Sequence, residues 1–434
     1  MHQVELWMVI PFVIMLLTIA IAPLAAEHLW ESNRNKFIFT LAISVVTIAL
    51  LSCYGLGHSV VHNLLYDYIP FIMLLLALFV VTGGIHISGD IAATPFINSL
   101  ILGMGFVLAS FMGTTGAAML LIRPLLRINK QRKYKVHTVL FFIALVANCG
   151  GLLTPLGDPP LFLLYLRGAE FQWFSSMFPE WLLTGGLLLS LYFAVDRHFY
   201  DKEPAENLLR DRTEQEPIRI SGARNFIYLG MVIAAVLFIN RSYIPQMRAE
   251  GAPFYIAFLR DIVLAIIIVL SLLTTPKGVR KANNFSWSPI LEVAILFVGI
   301  FVTMTPAMMY LNQHAMQLGL SEPWQFYYAT GSLSSFLDNA PTALAFHTVA
   351  TGLNPEAGVA IVAGIPEMLL TAISLGAVFF GAMTYIGNGP NFMVKAIAEE
   401  EGVKMPSFFG YILKFSLVVL LPVYIIVQLI FLPF

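Results

Sequence analysis

Apolar residues run along this chain in long blocks. They show neither the strict alternation of a half-buried strand nor the single stripe of a surface helix. Blocks near 4–24, 36–54, 69–88, 177–195, 225–240, 257–275, 290–311 and 407–432 are roughly 20 residues each, enough to cross a bilayer core of about 30 Å. Two more blocks, 136–166 and 357–399, are too long for one simple helix and contain Gly and Pro, so we read them as broken helices. The stretches 94–126 and 323–350 are each split by a polar patch bearing Gly or Pro. We read these two as re-entrant hairpins; one ordinary helix each is the alternative. The pattern predicts an all-α polytopic membrane protein with about ten spans, two hairpins and two broken helices.

Composition strengthens this. Of 434 residues 58% are hydrophobic and 11% are charged, against about 25% charged in soluble proteins. The mean hydropathy is +0.81. The lipid bilayer is therefore a partner, and a net charge of −1 gives no reason to expect nucleic acid. Cys53 and Cys149 lie in apolar runs without metal-ligand spacing and should be free thiols. The first block has neither a basic leader nor a cleavage site and reads as a retained span.

Charge also sets an expected orientation. The segment 196–224 holds 13 of the 49 charged residues, of mixed sign, and reads as a solvated linker. If the hairpins return to the side they entered from, 20 of the 24 Lys and Arg fall on the linker's side. By the positive-inside rule that side is cytoplasmic. The chain then belongs in the inner (cytoplasmic) membrane with both termini outside.

Two motifs recur in order. Residues 151–160, G-L-L-T-P-L-G-D-P-P, and 381–390, G-A-M-T-Y-I-G-N-G-P, share G-x-x-T-x-x-G-[DN]-x-P at an offset of 230. Residues 110–118, S-F-M-G-T-T-G-A-A, and 335–343, S-F-L-D-N-A-P-T-A, match at an offset of 225. This points to duplication. The expected units are 1–195, the linker 196–224, and 225–434. Each half holds an odd number of crossings, so the second inserts upside down. Inverted repeats of this kind are frequent in secondary transporters, whose sites lie where broken helices meet.

The chemistry sits at the breaks. Gly151, Gly157, Gly381 and Gly387 permit unwound backbone, and Pro155 and Pro390 remove helix hydrogen bonds. Half-helix N-termini favour anions and C-termini favour cations. Hydroxyls of Thr154 and Thr384 and amides of Asn148, Asn388 and Asn391 add oxygens that suit a hard cation such as Na⁺. Asp158 and Asp338 are the sharpest candidates, since an acid in mid-membrane costs about 2.5–3.5 kcal/mol and usually marks an ion path. Either acid could also simply cap its helix. No Walker motif, nucleophile elbow or metalloprotease helix is present. We therefore expect no enzyme and no cofactor beyond a transported or coupling Na⁺.

The S-S-F-L-D-N-A-P-T hairpin and the G-G-L-L-T-P-L-G-D-P-P break resemble the ion transporter superfamily. Within it the chain looks most like NhaD-type sodium/proton antiporters and a sister group named for citrate transport. The resemblance implies a scaffold and a transport domain, commonly in a homodimer, moving as an elevator. Carried over by position, it places Ser110, Thr114, Thr115, Ser335, Asp338, Asn339 and Thr342 at the ion and substrate site. Asn148, Thr154, Asp158, Thr384 and Asn388 join them from the breaks. Anion symporters of the superfamily tend to lack a carboxylate at the hairpin tip. Asp338 beside Asn339 thus favours Na⁺(Li⁺)/H⁺ exchange, with citrate or another carboxylate as the alternative cargo.

Overall fold

A computed structural model describes residues 4–30, 32–248, 252–353 and 358–432. Met1 and Phe434, whose side of the membrane is part of the expected orientation, lie outside these residues, as does the expected start of the second break at 357.

Among the described residues eight helices are long and apolar enough to cross a membrane, the chain being a multi-pass membrane protein. Their burial separates two roles. The apolar window of Val136–Leu153 is 83% buried and that of Leu6–Pro23 only 22%. The first therefore runs through protein, while the second presents its side chains to lipid.

Two helix groups follow. In one, Asn33–Cys53 packs along Ser288–Gln313, and Leu259–Thr274 packs on Ile69–Thr82. Gly299 permits the first contact, because a Cβ there would meet Thr40 and Met15. The second group holds the hairpins and breaks. Pro95–Met112 turns at Gly113 into Thr114–Ile128, and the two arms pack together. Pro323–Ser334 turns into Asn339–Thr351 in the same way. Val136–Leu145 and Pro159–Leu166 flank the first break, and Glu367–Phe380 and Gly389–Glu400 flank the second.

The packing is crosswise. The return arm Asn339–Thr351 lies against Pro159–Leu166, the half-helix of the other break. Likewise Thr114–Ile128 lies against Gly389–Glu400.

Three elements differ from expectation. The block expected at 69–88 is a longer helix, Gly57–Thr82, which ends earlier. Its first turns carry His58, His62, Asn63 and Asp67, and that polarity hides it from hydropathy. A π-helical turn at Leu64–Tyr68 precedes Pro70, just as one at Ile412–Leu420 precedes Pro422. The wider turn makes room for a proline that lacks an N–H and would clash with the preceding turn. After Gly83 and Gly84 the chain extends into strand β1, His86–Asp90.

The linker 196–224 is not wholly solvated. It contains the end of Phe178–Tyr200, a helix at Ala205–Thr213 and strand β2, Glu216–Ser221, which pairs antiparallel with β1. Asp196, Glu203 and Asp211 are buried. The guanidinium of Arg132 donates to Asp196 at 2.7 Å, to Glu203 at 3.2 Å and to the carbonyl of Ala93 at 2.8 Å. His137 shares Asp196 at 2.8 Å. Mixed charge on the chain here means internal pairing as well as solvation.

Candidate transport site

The two breaks are built alike. Thr154 and Thr384 both take extended backbone, and each donates its hydroxyl to a carbonyl at a hairpin tip, of Ser110 and Ser335 respectively. Each hydroxyl also accepts an N–H two residues on, from Leu156 and from Ile386. Asp158 and Asn388 follow, both extended and both N-caps of the next half-helix. A Cβ on Gly157 would fall 1.9 Å from the carbonyl oxygen of Gly151, and one on Gly387 2.6 Å from that of Gly381. Glycine is required where the strands of each break touch.

Crosswise packing brings four half-helix starts to one point. At that point lies the Asp158 carboxylate, 1% exposed. Thr114 Oγ1 donates to Oδ1 at 2.7 Å, and Asn388 Nδ2 to the same oxygen at 3.1 Å. Asn339 Nδ2 donates to Oδ2. Thr114 and Asn339 open the return arms of the two hairpins and occupy equivalent positions of the repeat. The positive ends of the helix dipoles surround the acid and favour negative charge there.

A chain of amides extends from this acid. Asn388 Nδ2 also reaches Asn148 Oδ1 at 3.2 Å. Asn148 donates to Asn391 Oδ1 at 2.7 Å, and Asn391 donates to the carbonyls of Gly381 and Thr384. One acceptor is unused: Asn339 Oδ1 is fully buried and has no partner.

The other expected residues divide. Asp338 is half-buried and caps its own helix, accepting from the N–H of Ala340 at 3.1 Å. Thr342 donates to the carbonyl of Asp338, and Ser335 to that of Gly331, both within their own hairpin. Ser110 donates to the carbonyl of Gly150. Pro155 lies in the first break, and Pro390 starts the half-helix after the second. Thr115 reaches no part of the Asp158 cluster. It lines a small cavity of about 70 Å³ beside it, with Thr114, Leu78 and Val293 among the other walls.

Among the described residues no group of three or more His, Cys, Asp or Glu could hold a metal ion. Oxygen ligands for a transported Na⁺ would be Asp158, Thr114 Oγ1 and Asn339 Oδ1.

The family model described as "Putative citrate transport" matches residues 1–432. The chain belongs to that putative citrate transport family. It is 24% identical over 410 residues to an uncharacterized transporter of Mycobacterium tuberculosis, covering 89% of this chain and 90% of that protein. An uncharacterized transporter of Mycobacterium bovis matches to the same extent. A third, from Methanocaldococcus jannaschii, is 24% identical over 323 residues, 73% of this chain and 68% of its own. Membership of the citrate transport family, with transporters as relatives, makes this protein a transporter.

Asn391, one of the amides expected at the breaks, links the two of them through Asn148. It lies one residue past the repeated motif, and the equivalent position of the first break is Leu161, so this link has no counterpart there.

Proposed function

We propose that this transporter carries a small carboxylate together with a cation, and that Asp158 is where the two are coupled. The observation that carries the proposal is the single acid held by side-chain donors from both halves. As a carboxylate, Asp158 occupies Thr114, Asn339 and Asn388. A proton on Asp158 removes its charge and loosens its claim on those donors. They then turn to a substrate carboxylate at the same helix starts, so proton and anion are bound together. The family description, citrate transport, agrees with a carboxylate cargo.

Na⁺(Li⁺)/H⁺ exchange is favoured by a different observation. The unpartnered Asn339 Oδ1 beside a carboxylate is what a bare hard cation would take. On that reading Na⁺ and a proton compete for Asp158.

The inverted repeat, the elevator movement, the homodimer and the outward termini belong to the same proposal. The like bonding of the two breaks supports the repeat. The test uses purified full-length protein in proteoliposomes loaded with a pH-sensitive dye. Citrate and simpler carboxylates, then Na⁺, Li⁺ and K⁺, are added in turn. Carboxylate-dependent proton entry is the expected result. Proton release on Na⁺ or Li⁺ addition, with no response to any carboxylate, would replace this reading with the exchanger.

A further inference from the structure

Pro159–Leu166 is a short, stiff body with Asp158 at one end. Its eight residues make about 12 Å of helix, and Pro159 and Pro160 fix the backbone of its first turn. Its other end lies away from the linker. Val136–Leu145 starts beside Arg132, which the linker's Asp196 and Glu203 hold, and the chain runs from there through the break to Arg167.

That far end is gripped by the other helix group. Tyr165 Oη donates to the carbonyl of Val236, on Arg224–Phe238, at 2.8 Å. Arg241 donates to the carbonyl of Leu166 at 3.1 Å. Arg260, on Leu259–Thr274, lies over the rings of Phe162 and Tyr165, 5.4 and 5.6 Å from their centres. Arg167 donates to Asp67, in the π-helical turn before Ile69–Thr82, at 2.8 Å. Arg224–Phe238 packs on both Ile69–Thr82 and Leu259–Thr274, so these contacts all join the same two bodies.

On the linker side the joint is of another kind. The chain itself passes between the groups there, at 83–94 and again at 214–223, and the two passages pair as β1 and β2. A Cβ on Gly222 would fall 1.9 Å from the carbonyl oxygen of Gly84. Asn225 donates to that carbonyl, and Asn283 to those of Gly83 and Ile85. This ribbon can bend but cannot come apart, whereas the contacts at the far end can. They are also incompletely satisfied. Arg260 and Asp261 are each 6% exposed, and Arg260 Nε and Asp261 Oδ1 have no hydrogen-bond partner among the described residues. Buried polar groups left unpaired are costly. Water entering as the contacts part would supply the missing bonds, so the closed arrangement is poised to open.

We infer that the end of this half-helix is a latch. It holds the two helix groups together on the side away from the linker, it opens during transport, and the Arg167–Asp67 pair sets how firmly it closes. Asp158 and the latch are opposite ends of one stiff body, so a change in what Asp158 binds is passed to the latch. The inference needs a transporter but no particular cargo.

Two measurements test it on the full-length protein carrying Cys53→Ser, since Cys53 is exposed and Cys149 is buried. In the first, nitroxides on Glu170→Cys and Tyr243→Cys, both exposed positions, report the separation of the two bodies by pulsed electron spin resonance. Asp67→Asn and Arg167→Gln should each raise the ratio of long to short distances, by up to about fivefold, the upper worth of an ion pair with one exposed partner. Either variant serves if the other does not fold. Exchanging the charges, Asp67→Arg with Arg167→Asp, should bring the ratio back toward the parent's, which a merely structural role would not do. In the second, Asp67→Cys and Arg167→Cys are joined by a flexible, reducible bis-methanethiosulfonate. Cargo flux into proteoliposomes should stop, and dithiothreitol should restore it. Unchanged distances in a folded variant, or full flux through the cross-linked protein, would overturn the latch. The distances are read without cargo, so failure of the carboxylate reading leaves this test in force.

Discussion

An acid buried at the start of a half-helix is satisfied either by its own backbone or by donors brought from elsewhere. Asp338 takes the first course, and Asp158 the second. The two should respond oppositely to the same change. Asp158→Asn keeps the shape but cannot take up a proton, so uptake in proteoliposomes should lose its dependence on an imposed pH gradient. Asp338→Asn should keep that dependence, because an amide oxygen still caps. Asp338→Ala should lower stability by about 1 kcal/mol, the usual worth of an N-cap, read as a fall in Tm. Equal loss of coupling in both Asn variants would return Asp338 to the site. Both acids were legible in the sequence as candidates, and so were Thr114, Asn339 and Asn388. Their division of labour was not. Asp158 meets Thr114 across 44 residues, Asn339 across 181 and Asn388 across 230, and no local spacing encodes those meetings.

Each break is a helix interrupted at a point where two strands of backbone touch, so the glycines of the breaks are not equivalent. Gly157→Ala would place a methyl 1.9 Å from the Gly151 oxygen, which is backbone and cannot turn aside. Gly389→Ala meets nothing within 4 Å. The first should abolish folded protein, measured as monodisperse yield in detergent, and the second should yield like the parent. The hairpins and breaks were legible because Gly and Pro interrupt apolar runs there. The helix at Gly57 was not, since hydropathy averages over its polar first turns. Strand β1 was hidden for another reason: its partner, β2, begins at Glu216, on the far side of a hairpin, a break and a span.

Across the molecule, the linker is fastened to the first half by charge. Arg132 is held by Asp196 and Glu203 with all three side chains at most 1% exposed. Arg132→Met would take the guanidinium from two buried carboxylates, leaving Asp196 with His137 and Glu203 with the N–H groups of Lys133 and Tyr134, and should cost up to about 3–5 kcal/mol, seen as a fall in Tm. Asp211 gives the opposite case. Burial, helped by the nearby Asp90 charge, pushes its carboxyl above the usual carboxylate range. The folded protein therefore holds that proton to higher pH than the unfolded chain does, and stability falls as pH rises through that interval. Asp211→Asn has no proton to lose. It should melt higher than the parent at pH 7, and the difference should close as pH drops toward about 4, the ordinary value for an aspartate. A difference that widens on acidification would show the carboxylate to be stabilising. The repeated motifs were legible in the sequence, and the two breaks they mark are bonded alike. The crosswise packing that joins the halves was not, because it is a property of neither half alone. That packing has a consequence for how the protein is made. Asp158 leaves the ribosome 181 residues before Asn339 and 230 before Asn388. At about 5–20 residues per second the acid waits roughly 10 to 45 seconds with Thr114 as its one partner from that cluster. During synthesis the first half is thus an unfinished membrane protein, with its buried acid held for donors that have not yet been translated.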